Sequence, residues 1–237
     1  MMTNIQRVLV TGAAGALGSR VCARFLEAGC TVVAADLAQA VPDASAGLYQ
    51  DAEHPNMHWI GLDLREAADI RDGVEAIEKN LGSIDALIHC AGGFRWALIG
   101  EVSDQDIDFL IDANLRSSLL LLRQILPRMK AQNRGRIVLI SSKSTLNPQQ
   151  GEGAYAATKA ALNALTKSIA DEVKELDVTI NALLPSVIDT PANRVAMPDA
   201  DFEKWVTRDQ LAELIFTLTQ PVGAAINGAL IPVAGRM

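Results

Sequence analysis

Cysteine is scarce in this sequence, and its spacing argues against a disulfide-stabilised fold. The three cysteines, Cys22, Cys30 and Cys90, include no CxxC pair, and their number is odd. A small, odd set is typical of reduced thiols in a cytoplasmic protein. Cytoplasmic is therefore the expected location.

Histidine is equally scarce, which leaves few candidates for a metal site. His54 and His58 have a ligand-like spacing, but Pro55 lies between them and breaks a helix, so we expect no metal. His89 ends an apolar run and is predicted to be a hydrogen-bonded core residue rather than a ligand.

Basic residues and long apolar runs are also lacking. The chain has 21 Lys and Arg against 28 Asp and Glu, a formal net charge of −7. A protein that binds nucleic acid usually has the opposite balance. No stretch reaches the roughly 18 apolar residues that a membrane span needs, and the first seven residues, MMTNIQR, have no apolar core of a signal peptide. We expect neither a nucleic-acid nor a membrane partner.

Short apolar runs and helical patterns alternate along the whole chain. The runs are apolar throughout, which is typical of strands buried on both faces of a parallel sheet. Seven such strands are predicted, over residues 7–11, 31–36, 58–62, 85–90, 136–141, 178–184 and 229–233. Strands and helices in turn imply right-handed crossovers. The expected fold is a single α/β domain, residues 1–237, with a Rossmann-type, doubly wound, seven-stranded parallel sheet.

The helical patterns cover residues 16–28, 65–80, 113–131 and 154–176, with one more helix near the C-terminus. The third pattern should kink at Pro127. Residues 38–57, rich in Pro, Ala, Ser and Asp, predict a surface loop. Apolar residues of the third pattern recur at spacings of four and three and predict one helix face, formed by Leu115, Leu119, Leu122, Leu126 and Met129.

The first strand runs into a glycine-rich loop, Thr11-Gly-Ala-Ala-Gly-Ala-Leu-Gly18, which opens a helix. Small residues there let the backbone approach a pyrophosphate at the helix N-terminus, although glycine also serves tight turns for steric reasons alone. The candidate cofactor contacts in this loop are Gly12, Gly15, Ala16 and Leu17.

Asp36 closes the second strand, 18 residues beyond Gly18. A carboxylate there can accept hydrogen bonds from an adenosine ribose and would repel a 2′-phosphate. No Lys or Arg lies in the glycine-rich loop or directly after Asp36. The sequence therefore favours NAD(H) over NADP(H), the alternative being a carboxylate in a surface turn.

Tyr155 and Lys159 are four residues apart in a segment of helix formers, so their side chains share a helix face. An ammonium near a phenol lowers the pKa of the phenol, which suits Tyr155 as a proton donor or acceptor. The spacing alone is commonplace on protein surfaces. Its context is more specific, since Ser142 lies 13 residues before Tyr155 and Asn114 another 28 before that.

In this order the chain resembles the short-chain dehydrogenase/reductase family over nearly all 237 residues. The resemblance implies an enzyme that transfers hydride between a nicotinamide and a carbonyl or alcohol. It implies that Ser142 hydrogen-bonds the substrate carbonyl and that Tyr155 transfers the proton. Lys159 would hold the nicotinamide ribose and tune Tyr155, and Asn114 would anchor a water of the proton relay.

The same resemblance implies further contacts and a quaternary structure. Asp63 and Leu64 would contact adenine, and Val187 and Thr190 the nicotinamide carboxamide. Copies would associate through the helices at 113–131 and 154–176 as a homodimer or homotetramer. The loop after the fourth strand would add Ala91 and Gly92 to the cofactor site.

Three positions depart from the family pattern, namely Ala16 and Ser186, where glycine is usual, and Cys90, where asparagine is usual. Residues 15–18, 90–94, 184–191 and 193–205 are similar to dihydropteridine reductase, which uses NADH to reduce quinonoid dihydropterin and lacks the serine present here as Ser142. Carbonyl reduction and dihydropterin reduction both stay open. A hypothesis of another class is a non-catalytic nucleotide-binding scaffold, against which the intact catalytic set counts.

A substrate lid is predicted around residues 186–210, over the carboxyl edge of the sheet. Aromatic and cationic side chains near that edge suit a flat heterocycle or an aromatic ketone. The candidate substrate contacts are Arg95, Trp96, Asn193, Arg194 and Trp205. For Trp205 the alternative is a purely packing role in the lid.

Overall fold

Seven parallel strands form one sheet in the computed structural model, which describes residues 5–37 and 54–237. The strand order is β3-β2-β1-β4-β5-β6-β7, so the sheet is doubly wound, as predicted. The strands are β1 (Arg7–Thr11), β2 (Thr31–Asp36), β3 (Met57–Gly61), β4 (Ala86–His89), β5 (Gly135–Ile140), β6 (Val178–Pro185) and β7 (Leu230–Val233). Each lies within one residue of its predicted bounds. Residues 38–53 of the predicted loop lie outside the described residues.

The register of the central strands brings their carboxyl ends level. Thr11 at the end of β1 is opposite Ala35 of β2 on one side and opposite His89 of β4 on the other. Between β1 and β4 the strand order reverses direction, because β2 and β3 continue one way and β5 to β7 the other. A crevice at such a reversal is the usual ligand site of an open parallel sheet.

Helices cover both faces of the sheet. On one face α1 and α7 pack against each other, with the rings of Phe25 and Phe216 edge to face at 5.4 Å. On the other face α2, α4 and α5 enclose a second apolar core. The helices are α1 (Ala16–Glu27), α2 (Ala67–Leu81), α3 (Asp104–Leu110), α4 (Ser117–Ala131), α5 (Gly153–Glu172), α6 (Pro191–Ala196) and α7 (Arg208–Thr219).

The segment predicted as one helix over 113–131 is divided in the structure. A π-helical turn, Ile111–Arg116, joins α3 to α4, and α3 itself was absent from the prediction. The predicted helix face is wrong in part, since Leu119 is 44% exposed whereas Leu121 and Ile125 are buried. Leucines fill residues 119–122, so apolar spacing there fits more than one face. The helix continues through Pro127 to Ala131.

No helix within the described residues is long and apolar enough to cross a membrane.

Candidate active site

A cleft of about 570 Å³ opens at the reversal between β1 and β4. Its volume lies in the range of small-molecule sites. The loops after β1 and β4, the ends of β2 and β3, and the π-helical turn line it. Seven of the residues predicted to contact the cofactor are in this lining: Gly12, Gly15, Asp36, Asp63, Leu64, Ala91 and Gly92.

The glycine-rich loop is closely packed onto the start of α1. Gly12 has a φ of +64°, a left-handed conformation that favours glycine. A Cβ on Gly18 would overlap the carbonyl oxygen of Gly12, so only glycine fits there. Ala16 and Leu17 are the first two residues of α1 and do not line the cleft.

The Asp36 carboxylate fastens this loop to the end of β2. One of its oxygens accepts a hydrogen bond from the backbone N–H of Ala14 at 2.9 Å, and the other accepts from the N–H of Leu37 at 2.8 Å. Asp36 therefore holds the loop and borders the cleft at the same time.

Asp63 borders the cleft beside Asp36, but its carboxylate already has a cationic partner. Arg65 donates to it at 2.6 Å, and this hydrogen bond is the main cause that lowers the pKa of the Asp63 carboxyl. Arg65 also lines the cleft. The guanidinium of Arg65 is thus paired with Asp63.

Ser142 and Tyr155 meet at the end of β5. Ser142 follows the strand and is buried, and its hydroxyl accepts a hydrogen bond from the Ser144 N–H at 3.1 Å. The pKa of Tyr155 is raised chiefly by burial, and the neighbouring Ser142 hydroxyl opposes that rise. Lys159 is not among the groups that shift this pKa, so its tuning of Tyr155 stays a prediction.

Lys159 is directed towards the end of the sheet. Its ammonium donates to the carbonyl of Ile140 at 2.8 Å and is completely buried, which lowers the pKa to about 8. A Cβ on Gly92 would lie 2.9 Å from the Lys159 Nζ and 2.8 Å from the Asn114 Oδ1. Lys159 and Asn114 thus converge over Gly92, next to the cleft.

Asn114 lies in the π-helical turn, a feature that is common at functional sites. Its side-chain oxygen accepts from the backbone N–H of Gly93 and its amide donates to the Gly93 carbonyl, both at 2.9 Å. The amide also donates to Thr158 Oγ1 at 3.2 Å. Asn114 therefore joins the loop after β4 to α5, on the turn that follows Tyr155.

Phe94 belongs to this site although the sequence reasoning missed it. Its ring stands edge to face with the Tyr155 ring, with centroids 4.9 Å apart, and the side chain is about half exposed. Trp96 is also exposed, and its indole N–H donates to the Gln150 carbonyl at 2.9 Å. The signal that could have identified Phe94 is its place directly after Ala91-Gly92-Gly93.

Like Trp96, which donates to Gln150, the other four candidate substrate residues are engaged with other parts of the protein. Arg194 forms a two-pronged ion pair with Asp189, at 2.6 and 2.8 Å. Arg95 is bound to Asp106 at 3.1 Å and lies over the ring of Phe109.

Asn193 and Trp205 are similarly engaged. Asn193 donates to the Ile188 carbonyl at 2.8 Å, and Trp205 is 4% exposed and packs on Phe202. Of the five candidates, Trp96 is thus the most available to a substrate.

The start of the predicted lid is held by three hydrogen bonds. Thr190 caps α6 by accepting from the Asn193 N–H at 3.1 Å. The carbonyl of Val187 accepts from the Val206 N–H at 3.1 Å, and this bond joins the start of the predicted lid to a later part of it. The hydroxyl of Ser186, one of the three departures, donates to the Ala234 carbonyl at 2.9 Å. Neither Val187 nor Thr190 lines the cleft.

A metal centre finds no support in residues 5–37 and 54–237, which contain no group of three or more His, Cys, Asp or Glu able to hold an ion. Burial raises the pKa of Cys90, which lines the cleft, to about 12, so its thiol is kept protonated.

A family model described as short chain dehydrogenase matches residues 6–201. The chain belongs to this family. It is 28% identical to the 3-oxoacyl-acyl-carrier-protein reductase FabG of Thermotoga maritima, in a match that covers 97% of this chain and 96% of the relative. It is 30% identical to an uncharacterised NAD-dependent oxidoreductase of Mycobacterium tuberculosis, over 94% of this chain and 92% of the relative.

A solved structure described as ElxO with NADP bound has the same fold. The two chains superpose with a TM-score of 0.89 over 98% of each, at 24% sequence identity. Together, the family match and the shared fold make this chain an oxidoreductase of the short-chain dehydrogenase family.

Proposed function

We propose that this short-chain dehydrogenase interconverts a carbonyl and an alcohol with NAD(H), and that Tyr155 transfers the proton. The observation that carries the proposal is the grouping of Ser142, Tyr155, Lys159 and Asn114 at the carboxyl ends of β4 and β5, with Lys159 and Asn114 converging over Gly92 of the cleft. Two neighbouring hydroxyls can both point at one carbonyl oxygen, one to polarise it and the other to protonate it.

The residues around the cleft fit a dinucleotide. The glycine loop would hold the pyrophosphate at the start of α1, and Asp63 and Leu64 would border the adenine. Val187 and Thr190 would face the carboxamide, and Lys159 the nicotinamide ribose. When bound, the nicotinamide supplies or accepts the hydride.

Asp36 supports NAD(H) rather than NADP(H). Its carboxylate borders the cleft, and Arg65, the cationic residue of the lining within residues 5–37 and 54–237, is already paired with Asp63. One relative is described as NAD-dependent, whereas the solved neighbour holds NADP. The local charge around Asp36 favours the first.

The environment of Tyr155 supports its role in proton transfer. Burial raises the pKa of the phenol, which suits a proton donor to a carbonyl that is being reduced. Ser142 would stabilise charge that develops on the substrate oxygen. Lys159, charged below about pH 8, would place a positive group next to the same centre.

The surface beside Tyr155 supports an uncharged, apolar or aromatic substrate. Phe94 offers an exposed ring beside the phenol and Trp96 is exposed two residues further on, while Arg95 and Arg194 are each paired with an aspartate. An aromatic ketone suits such a surface. A quinonoid dihydropterin is the second candidate, on the sequence similarity of the segments around Cys90 and Asp189.

The test is NADH oxidation measured with a panel of aromatic ketones and with quinonoid dihydropterin. We expect turnover of ketones that falls by about 10²- to 10⁴-fold in Tyr155→Phe. Ser142→Ala should abolish ketone turnover and spare a dihydropterin, which needs no carbonyl polarised in this way. Unchanged turnover in Tyr155→Phe would overturn the proposed role, and a chain that binds NADH but turns over neither substrate class would support the scaffold hypothesis.

Association of copies is proposed through α4 and α5. Leu119 on α4 is an apolar side chain that is 44% exposed. A dimer or a tetramer would bury it. The cytoplasmic location stays a prediction.

A further inference from the structure

A chain of three hydrogen bonds runs through the core to Asn114. It starts at the glycine-rich loop, residues 11–18, which is called the cofactor loop below. Thr11 Oγ1 lies 2.7 Å from His89 Nδ1, and His89 Nε2 lies 2.8 Å from Ser118 Oγ. Ser118 Oγ in turn donates to the backbone carbonyl of Asn114 at 2.7 Å. All four residues are at most 1% exposed. None of these contacts is used in the proposed chemistry.

The direction of every bond in this chain follows from the number of hydrogens available. The Ser118 hydroxyl has one hydrogen, which it gives to the Asn114 carbonyl, so it must accept from His89 Nε2–H. A neutral imidazole with its proton on Nε2 has an acceptor at Nδ1, and Thr11 must donate to it. Burial lowers the pKa of His89 to about 3, which is consistent with a neutral ring.

The chain cannot serve as a proton path. It ends on a backbone carbonyl, which has no proton to pass on, and every donor already points towards that end. Its four members are also buried, so no solvent proton reaches its start. What the chain can do is fix positions.

The residue that it fixes is Asn114, whose side chain holds Gly93 and Thr158 and converges with Lys159 over Gly92. At its other end the chain holds Thr11, which directly precedes Gly12 of the cofactor loop. A π-helical turn has irregular backbone hydrogen bonds, so an additional donor to its carbonyl matters more there than inside an α-helix.

We propose that His89 is a positioning residue, which acts through Ser118 to hold Asn114 in register with the cofactor loop. The role rests on the proposed function, because only an active oxidoreductase would show its kinetic effect. The hydrogen-bond pattern itself is independent of any activity.

The first test is the nitrogen-15 spectrum of the histidine rings, with the His89 signal assigned by its loss in His89→Gln. We expect a neutral ring protonated on Nε2 that does not titrate between about pH 5 and pH 8. In Ser118→Ala this signal should shift, because Nε2–H loses its acceptor. A ring protonated on Nδ1, or one that titrates in this range, overturns the proposal whether or not the enzyme is active.

The second test is a double-mutant cycle on kcat with Ser118→Ala, His89→Leu and both together. Each single change should lower kcat by about 10- to 100-fold with little change in NADH affinity, since it displaces Asn114 without touching the cofactor. If His89 acts through Ser118, the double variant should be no slower than the worse single variant. Additive losses would overturn the proposed route.

Two further variants separate positioning from general destabilisation. His89→Gln keeps one donor and one acceptor and should recover most of the kcat that His89→Leu loses. Thr166→Val is the matched control, because Thr166 is a buried residue of α5 whose hydroxyl donates to the Leu162 carbonyl at 2.8 Å, away from the site. It should lower stability as Ser118→Ala does but leave kcat unchanged. An equal loss of kcat in Thr166→Val would overturn the proposal, and a wild-type chain without turnover would overturn the proposed function alone.

Discussion

Replacing Lys159 by methionine should stabilise the protein while it abolishes turnover. The ammonium of Lys159 is held in the core with its pKa lowered from 10.5 to about 8 by burial. A lowering of that size corresponds to about 3 kcal/mol against the charged form at pH 7. Methionine has a similar length and no charge, so the variant avoids this cost.

The variant also loses a hydrogen bond. The ammonium donates to the Ile140 carbonyl at 2.8 Å, and an unmade bond there removes about 1 kcal/mol. The net expectation is a gain of about 2 kcal/mol at pH 7. For a domain of this size that corresponds to a rise in Tm of roughly 4 to 8 °C.

The stability difference between Lys159→Met and the wild type should depend on pH. Below pH 8 the lysine is protonated in both the folded and the unfolded chain, and the cost is constant. Between about pH 8 and pH 10.5 the unfolded chain binds more protons, so the free energy of unfolding of the wild type rises with pH. The methionine variant lacks this rise, and its advantage should therefore vanish as the pH approaches about 10.

Urea denaturation at fixed protomer concentration, at pH 7 and near pH 10, measures both effects. Lys167→Met is the matched control, since Lys167 is an exposed residue of the same helix and its replacement should change stability by less than about 0.5 kcal/mol. A Lys159→Met protein no more stable than the wild type at pH 7, or one whose advantage persists at high pH, would refute the reasoning.

Two other predictions concern the cofactor and the assembly. Asp36→Asn should reduce the preference for NADH over NADPH by about tenfold or more, because it removes the charge that repels a 2′-phosphate while an amide oxygen can still accept from the Ala14 N–H. Fluorescence titration with both cofactors measures this, and equal affinities in the wild type would contradict the role given to Asp36. Leu119→Glu should convert an oligomer into monomers, as seen in the molar mass by light scattering; an unchanged mass would place the interface elsewhere.

The strands could be predicted to within one residue because a sheet buried on both faces leaves little ambiguity. Runs such as Val8–Val10 and Val32–Ala35 are apolar throughout, and they are followed by Thr11-Gly12 and by Asp36. The buried face of the helix in the middle of the chain was harder to predict, because the leucines at 119–122 fit several helical registers at once. A π-helical turn has no simple apolar periodicity from which it could be predicted.

Seven of the predicted cofactor contacts line the cleft, but Phe94 was not predicted, and neither were the contacts that the site residues make. Spacing placed Tyr155 and Lys159 on one helix face, yet Lys159 reaches Ile140, a carbonyl on another element. The same limit applies to Arg194 and Arg95. Their partners Asp189 and Asp106 lie five and eleven residues away along the chain. Charge neutralisation of this kind depends on how the chain turns and not on composition.

Buried charged and polar groups lie at the amino ends of the strands, where Asp85 and Arg136 are buried, and also where the function is proposed. A protein selected for stability alone would not bury a lysine ammonium against a single carbonyl, nor a histidine between two hydroxyls when an apolar residue could fill the space. Lys159 and His89 both bear on the same small region, around Gly92 and Asn114. Sites that violate local rules together are expected to be functional, because only their joint geometry compensates for the cost of each. The buried polar groups around Gly92 thus argue for catalysis and against a retired nucleotide-binding scaffold.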